Sequence, residues 1–283
     1  MKKKLKNISC IKKNASNMNT HPKYPTRVFA DETYHVECPY YEDKSVTDNE
    51  GIWADHSQID EQELKKRLVW KNGKLITLEA ANIEFMHGKP VTPIKTGIKG
   101  RGLLGKFGPN HAADPIVTRI NPVTSDVEFI AAKRIDTDQY CIPGGMVDAG
   151  EPLSATLKRE FKEEVASKCD EDVLQKVFAK GNLLYTGPTY NDPRTTDNAW
   201  IETYVMHYHI SDELAKKIKL SPQLSENSKV KWIRCDHHNL YGDHAKYVKM
   251  AEYNVVTKSI TTTLLNILAV TIIGLFIVIF IVN

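Results

Sequence analysis

The spacing of apolar and polar residues predicts strands that are interleaved with helices in the middle of the chain. Residues 116–120 alternate apolar and polar positions, as a strand with one buried face does. Residues 127–132 form a short apolar run after a turn at 122–126. Three further segments, rich in β-branched and aromatic residues, are predicted strands: 183–185, 199–210 and 230–233. Because strands and helices are interleaved, the predicted core is of the α/β or α+β class.

A helix is predicted where apolar residues recur every four positions. Leu153–Val165 has this spacing, which gathers its apolar side chains into one stripe that docks the helix. The stripe consists of Leu153, Leu157, Phe161 and Val165. A last amphipathic helix is predicted over residues 243–253. We therefore expect the main folded domain to span residues 116–256.

The stretch before this domain, residues 27–115, is predicted to be a β-rich accessory region. A short helix is expected at residues 61–70, and the Asn-Gly pair at 72–73 lies between apolar residues, which is a hairpin signal. Residues 97–110 contain repeated glycines. No Lys-Ser or Lys-Thr pair follows these glycines, so we predict a loop with unusual backbone angles rather than a phosphate-binding P-loop.

The two ends of the chain differ from the middle, and the first of them is basic. Residues 1–26 carry many Lys and Asn side chains, and the first acidic residue is Asp31. The segment lacks the apolar core of a secretory signal, and we interpret it as a disordered basic tail. A mitochondrial transit peptide is the competing interpretation. The absence of acids agrees with it, whereas the preference for Lys over Arg does not.

The other end of the chain is apolar. No charged side chain follows Lys258, and residues 264–282 are almost wholly apolar. A helix needs about 20 such residues to cross a bilayer, so residues 259–283 are predicted to be a C-terminal transmembrane anchor. Lys246 and Lys249 also precede it, which agrees with the excess of positive charge on the cytosolic side of membranes. The folded domain is accordingly expected in the cytosol at a membrane, with a mitochondrial location as the alternative.

Charge and cysteine content argue against two classes of protein, nucleic-acid-binding proteins and proteins held together by disulfides or structural zinc. The formal net charge of the 283 residues is +3, and the basic residues are not gathered into one long patch. Nucleic acid is therefore not an expected partner. The five cysteines are odd in number and widely spaced, with no Cys-x-x-Cys pair. This argues against a disulfide framework and a structural zinc site, and it favours a reducing compartment.

The strongest chemical signal is a cluster of glutamates on the predicted helix Leu153–Val165. Glu163 and Glu164 follow Glu160 by three and four residues, so the three side chains share one helix face. A hard cation relieves their mutual repulsion, and Mg²⁺ typically takes one or two carboxylates together with substrate phosphate oxygens. Because an acidic helix face by itself is commonly no more than a solvated surface, the interpretation depends on the residues around it.

The surrounding residues have a fixed spacing to the glutamates. Gly145, Glu151 and the run Arg-Glu-Phe-Lys-Glu-Glu at 159–164 together resemble the Nudix box. Ala166 and Ser167 depart from it, because the box normally ends in glycine and a small aliphatic residue. This departure concerns the end of the helix rather than the glutamates.

The resemblance implies an α/β/α sandwich that hydrolyses a nucleoside diphosphate linked to another group. Metal ions, Mg²⁺ or alternatively Mn²⁺, are expected to neutralise the phosphates and activate water. Glu160 and Glu164 are then the expected direct metal ligands, and Glu163 binds a second ion or a metal-bound water. Arg159 and Glu151 are expected to pair and hold the helix in place.

Three segments outside the box resemble the animal ADP-ribose pyrophosphatases and the homologous domain of an ADP-ribose-gated cation channel: residues 100–116, 191–203 and 240–244. The resemblance extends from about residue 27 to residue 253 and includes neither end of the chain. The substrate-binding residues that it implies are Asp192, Arg194, Tyr241, His244 and Gly145.

The predicted activity is Mg²⁺-dependent hydrolysis of ADP-ribose to AMP and ribose 5-phosphate. The alternatives are hydrolysis of another nucleoside diphosphate derivative and a non-catalytic ADP-ribose-binding module. The complete set of box carboxylates favours an enzyme over a sensor. In related enzymes the general base can lie outside the box, and Glu202 and Glu226 are the two unranked candidates. Trp200, His207 and His209 are expected to be structural residues with no ligand role.

Overall fold

The structure is a computed structural model that describes residues 39–92, 95–189 and 192–282. The side chains of residues 266 and 269–282 are not described. The predicted basic tail, residues 1–26, lies outside the described residues.

Short strands dominate the region that precedes the main sheet. Its elements are β1 (Tyr40–Glu42), α1 (Lys44–Thr47), α2 (Glu61–Lys66), β2 (Leu68–Lys71), β3 (Lys74–Thr77), β4 (Phe85–Met86), β5 (Lys89–Pro90) and β6 (Lys99–Gly102). In the described part of the chain these strands pair as three two-stranded sheets, β1 with β6, β2 with β3 and β4 with β5. The arrangement agrees with the predicted β-rich accessory region.

The Asn-Gly pair forms the tip of a hairpin, as predicted. β2 and β3 are antiparallel, and Asn72 and Gly73 have φ angles of 51° and 74°. Two consecutive positive φ angles are what a tight two-residue hairpin turn requires. The neighbouring helix is shorter than predicted, because α2 ends at Lys66 and residues 68–70 belong to β2. Pairing with β3 satisfies the backbone of these residues and overrides their helical tendency.

The main domain alternates strands and helices. Its elements are β7 (Gly108–Ile120), β8 (Val127–Arg134), β9 (Tyr140–Cys141), β10 (Gly145–Met146), α3 (Leu153–Val165), α4 (Glu171–Val177), β11 (Asn182–Pro188), β12 (Ala199–His209), α5 (Asp212–Ala215), β13 (Asn227–Arg234) and α6 (His244–Val282). The sheet is mixed, with the order β11-β12-β7-β8-β13, and β9 and β10 pair with β8 and β7. β7 and β12 are parallel, and the other pairs in this sheet are antiparallel.

Helices cover both faces of this sheet. Val117 belongs to an apolar cluster with Phe161 and Val165 of α3. Its neighbour Ile116 belongs to a second cluster, with Tyr247 of α6. Because consecutive residues of a strand point to opposite faces, α3 and α6 lie on opposite sides of β7. The expected α/β/α layering is therefore observed.

The glycine-rich residues 97–110, predicted to form a loop, instead supply β6 and the first residues of β7. The expected unusual backbone angles are present, with φ of +88° at Gly100 and +79° at Gly108. A Cβ on Gly100 would lie 2.6 Å from the carbonyl oxygen of Tyr41. Pairing of β6 with β1 requires this close approach, so the glycine serves strand pairing rather than phosphate binding.

The end of the chain is one continuous helix. Sequence analysis predicted a helix at 243–253 and a separate anchor at 259–283, whereas α6 runs through both, from His244 to Val282. The side chains of Ile260, Leu264 and Leu268 are more than half exposed. Among the residues that the structure describes, no helix is both long enough and apolar enough to span a membrane. Much of the predicted anchor lies outside the described side chains.

Candidate active site

The helix α3 presents the acidic residues because its other side is docked on the sheet. Its bounds, Leu153–Val165, are those predicted from the four-residue spacing. All four side chains of the apolar stripe are buried, with Phe161 and Val165 fully inaccessible. The helix ends where Ala166 adopts an extended φ of −143°. The amide of Ser221 then donates to the carbonyl of Val165, so a neighbouring loop replaces the glycine that usually ends the box.

Arg159 and Glu151 form a two-point ion pair at the start of this helix. The Arg159 Nε and Nη2 atoms donate to the two Glu151 carboxylate oxygens at 2.9 and 2.8 Å. The Thr156 hydroxyl also donates to Glu151, at 2.8 Å. The Arg159 guanidinium lowers the pKa of Glu151 to about 2. Glu151 thus connects the loop before α3 to the helix itself, which is the supporting role that the sequence implied.

Two consecutive glycines, Gly144 and Gly145, provide the surface on which the carboxylates gather; we call them the glycine pair. The amide of Gly144 donates to Glu164 Oε2 at 3.1 Å. The carboxylate of Glu160 packs so closely on Gly145 that a Cβ at this position would overlap it. The absence of a side chain at Gly145 therefore allows Glu160 to approach the backbone, while the Gly144 amide binds Glu164.

The three helix glutamates lie in different environments. Glu164 is buried, and its burial raises its pKa to about 8, with a further contribution from the charge of Glu160. Burial also raises the pKa of Glu160, partly offset by Arg159. Glu163 is exposed, and Arg159 Nη1 lies 3.3 Å from it. Glu160 and Glu164 are thus the two carboxylates that bear the largest desolvation penalty.

The donor set of these residues fits a hard divalent cation. Carboxylate oxygens are the ligands that Mg²⁺ prefers. A bound cation would offset the cost of burying the charged carboxylates of Glu160 and Glu164, a cost that raises their pKa values. In the described ranges, no three His, Cys, Asp or Glu side chains converge closely enough to hold a metal ion by themselves. This is compatible with a site in which substrate phosphate and water supply the remaining ligands.

The two candidates for the general base lie in different places. Glu226 belongs to a loop that is hydrogen-bonded to α3 at Glu164, and its charge contributes to the raised pKa of both Glu160 and Glu164. Backbone hydrogen bonds hold it there: the amide of Gln223 donates to the Glu164 carbonyl, and the amide of Glu226 donates to the Gln223 carbonyl. Glu202 instead accepts the indole N–H of Trp200 at 3.1 Å.

Glu202 faces a cavity of about 460 Å³ between the accessory region and the main sheet. Lys71 and Ile83 line its accessory side, and Pro188 and Trp200 line its sheet side. Glu202 also lines a smaller pocket with Thr203 and with Leu153, the first residue of α3. Of the two candidates, Glu226 is the one whose loop is hydrogen-bonded to α3, through the Gln223 amide and the Glu164 carbonyl.

The implied substrate residues Asp192 and Arg194 form a pair beyond the end of β11. Arg194 Nε and Nη2 donate to the two Asp192 oxygens at 3.0 and 2.7 Å. The Arg194 backbone amide also donates to Asp192, at 2.9 Å. These contacts fix the plane of the guanidinium, whose fork suits phosphate or ribose oxygens.

His244 and Tyr241 approach the same region from the start of α6. His244 Nδ1 accepts the amide of Ile142 at 2.8 Å, and burial lowers the pKa of His244 to about 4, with a smaller effect from Arg134. The charges of Asp192 and Arg194 also contribute to the pKa of His244. The Tyr241 ring is buried, lies edge-on to His244 and has the guanidinium of Arg134 over its face.

Sequence analysis did not identify Asp114 and Thr203 as site residues. Asp114 lies in the middle of β7, is 8% exposed and accepts a hydrogen bond from the Thr203 hydroxyl. Its carboxylate also contacts Gly144, where a Cβ would overlap it. Burial raises the pKa of Asp114 to about 6. An aspartate inside the apolar run Ala-Ala-Asp-Pro-Ile-Val was the available signal, because buried charges rarely occur without a partner or a function.

Comparison with known proteins agrees with this arrangement. The model of the NUDIX domain matches residues 115–252. Nudix hydrolase 6 of Caenorhabditis elegans is 41% identical over 207 residues, which cover 71% of this chain and 78% of the relative. The chain belongs to the Nudix family. The matched Nudix domain begins at the Asp114–Pro115 step of β7 and includes all the box residues.

Two further relatives are similar to this chain. The mitochondrial ADP-ribose pyrophosphatase of Rattus norvegicus is 39% identical over 224 residues, which cover 70% of this chain and 63% of the relative, so the match spans less than two thirds of that protein. The transient receptor potential cation channel subfamily M member-like 2 of Nematostella vectensis is 42% identical over 141 residues, 43% of this chain and 9% of the channel.

Proposed function

We propose that this Nudix protein hydrolyses the diphosphate of ADP-ribose and releases AMP and ribose 5-phosphate. The observation that carries the proposal is the gathering of Glu160 and Glu164 at the glycine pair. The charges of Arg194 and Asp192 also act on the neighbouring Asp114. A centre suited to a cation and phosphate thus adjoins a pair suited to ribose or phosphate oxygens. The rat relative that is named ADP-ribose pyrophosphatase supports the choice of substrate.

In the proposed reaction, different residues bind the metal, hold the helix in place and accept the proton. Glu160 and Glu164 would hold Mg²⁺ or Mn²⁺, and Glu163 would hold a second ion or a metal-bound water. Metal bound there would supply neutralisation of phosphate charge and a lower pKa for water. The ion pair of Arg159 with Glu151 keeps α3 in position beside the glycine pair. Glu226 accepts the proton of the attacking water. A new P–O bond forms, and the P–O bond to the bridging oxygen breaks.

The substrate residues position the ends of the molecule. Arg194, fixed by Asp192, binds phosphate or ribose oxygens through the outer edge of its guanidinium. His244 is neutral at physiological pH because burial lowers its pKa. Its ring and that of Tyr241 form the wall of the nucleoside or ribose pocket.

A non-catalytic ADP-ribose-binding module is the second candidate, favoured by the match to a channel over 141 residues. Turnover distinguishes the two. We expect the protein without residues 259–283 to release AMP from ADP-ribose when Mg²⁺ is added, and to release none after chelation. A panel of other nucleoside diphosphate derivatives, including a nucleotide sugar and a dinucleoside polyphosphate, tests the substrate range. Tight binding of ADP-ribose without any AMP would contradict the enzymatic proposal.

We further propose that residues 259–283 attach the protein to a membrane, with the Nudix domain on the cytosolic side. The apolar sequence supports this, as do the exposed Leu264 and Leu265 on the described part of α6. We expect the full-length protein to remain in the pellet after alkaline carbonate extraction of cell membranes, and the shortened protein to appear in the supernatant. Release of the full-length protein would rule out a spanning helix.

Import of the intact chain into isolated mitochondria tests the alternative location, which the name of the rat relative supports.

A further inference from the structure

The carboxylate of Asp114 is a third acidic group at the glycine pair, and the proposed reaction does not use it. It contacts Gly144, while Glu160 contacts Gly145 and Glu164 accepts the Gly144 amide. Asp114 comes from β7, and the two glutamates come from α3. The glycine pair is therefore enclosed by acidic groups from two separate elements.

The surroundings of Asp114 orient its carboxylate. The Thr203 hydroxyl donates to Oδ2. Oδ1 is the oxygen that a Cβ on Gly144 would overlap. Thr203 is the only side chain seen to donate a hydrogen bond to Asp114 within the ranges that the structure describes. The charges of Arg194, Asp192 and Glu160 all contribute to the pKa of Asp114, and its carboxylate contacts the glycine pair against which the α3 glutamates pack.

The negative charge of the Asp114 carboxylate determines which part of a substrate it can bind. A carboxylate repels phosphate oxygens at close range and accepts hydrogen bonds from neutral hydroxyl groups. Cations and Arg194 are suited to bind the phosphates. A buried acceptor such as Asp114 instead needs hydrogen-bond donors, which offset the free-energy cost of removing its carboxylate from water. The donor-rich, uncharged parts of ADP-ribose near its diphosphate are its two ribose rings.

We propose that Asp114, oriented by Thr203, accepts a hydrogen bond from a ribose hydroxyl of the substrate and thereby selects diphosphates that carry a sugar at this position. This inference rests on the proposed hydrolysis of ADP-ribose and adds a specificity-determining residue to it. Carboxylates that accept ribose hydroxyls are an established means of nucleotide recognition in other folds. The hydroxyl belongs either to the terminal ribose or to the adenosine ribose.

The test compares Asp114→Asn with the unchanged protein on three substrates. The first is ADP-ribose, the second is the methyl ester of ADP, which lacks the terminal ribose, and the third is the ADP-ribose analogue with 2′,3′-dideoxyadenosine. We expect kcat/KM for ADP-ribose to fall about 10- to 100-fold, the range for loss of a hydrogen bond to a charged group. The fall should be much smaller for whichever analogue lacks the contacted ribose.

Thr203 provides a second and milder variant. Thr203→Val removes the hydroxyl that orients Asp114 and should reduce the preference for ADP-ribose over that analogue. Thr203→Ser keeps the hydroxyl and should restore the preference. Thermal unfolding of each variant shows whether the fold is retained. Because Thr203→Val has nearly the volume of the native side chain, it tests the inference even if Asp114→Asn fails to fold.

The outcomes separate this inference from the function on which it rests. If the unchanged protein hydrolyses none of the three substrates, the proposed function is wrong. If it hydrolyses ADP-ribose and the Asp114 and Thr203 variants lose activity equally on all three, Asp114 supports the metal centre or the fold and the inference is overturned. Unchanged selectivity in both Asp114→Asn and Thr203→Val would overturn it as well.

Discussion

Glu160→Gln and Glu164→Gln are each expected to lower kcat for ADP-ribose by at least about 1000-fold. Each removes an anionic ligand of the proposed cation, and such a cation stabilises the charged transition state by several kcal/mol. Glutamine keeps the shape of the side chain but carries no charge. Steady-state release of AMP at saturating Mg²⁺ is the measurement. Full activity in either variant would refute the assignment of these two residues to the metal.

The stability of the same variants shows whether loss of activity reflects loss of the fold. Burial raises the folded-state pKa of Glu164 from the ordinary 4.5 to about 8. Between these values the folded state holds a proton that the unfolded state has released, so stability without metal falls as pH rises from about 4.5 to 8. Glu164→Gln removes this titration. We expect the metal-free variant to be at least as stable as the unchanged protein at pH 8, by thermal unfolding.

A matched control is available on the neighbouring helix. Glu171 is exposed at the start of α4 and pairs with Lys158 and Lys162 on the surface. Glu171→Gln also removes one negative charge near α3, yet exposed pairs contribute little to stability. Its kcat should remain within about twofold of that of the unchanged protein. A loss comparable to that of the Glu160 and Glu164 variants would indicate a general effect of charge rather than metal binding.

Gly145→Ala should lower kcat/KM by about 100-fold or more although it adds a single methyl group. The new Cβ would overlap the carboxylate of Glu160, so either Glu160 or the strand β10 must move. A displacement near 1 Å at a reacting centre costs on the order of 100-fold in rate. The apparent Mg²⁺ requirement should shift to higher concentration, because Glu160 is a proposed ligand of the metal.

Gly88→Ala is the control for the general cost of replacing a glycine. Gly88 lies at the turn between β4 and β5 with a φ of +76°, and a Cβ there meets open space. Alanine is strained at this φ and should lower stability by about 1 kcal/mol, while activity is retained. If Gly145→Ala retains full activity with an unchanged Mg²⁺ requirement, the close packing of Glu160 on the glycine pair has no catalytic role.

Sequence alone determined those features that depend on neighbours along the chain. The four-residue spacing located α3 to the residue, and the Asn-Gly pair located the hairpin, because helix periodicity and turn chemistry act within a few positions. The glutamates and their spacing to Gly145 are a local pattern as well, and that pattern indicates the family. Local propensity failed at residues 68–70 and 97–110, where pairing with distant strands decided the conformation.

Only the tertiary structure decided which acidic residues lie together. The helix spacing placed Glu160, Glu163 and Glu164 on one face, and only the resemblance assigned Glu163 a separate role. Neither could choose between Glu202 and Glu226. Packing buries Glu164, exposes Glu163 and ties the loop of Glu226 to α3. Asp114 reaches Gly144 because β10 pairs with β7 in a specific register, Gly145 opposite Ala113. Such contacts join residues about 30 to 60 positions apart in the sequence. Sheet register and burial set them, and neither is encoded in a local pattern.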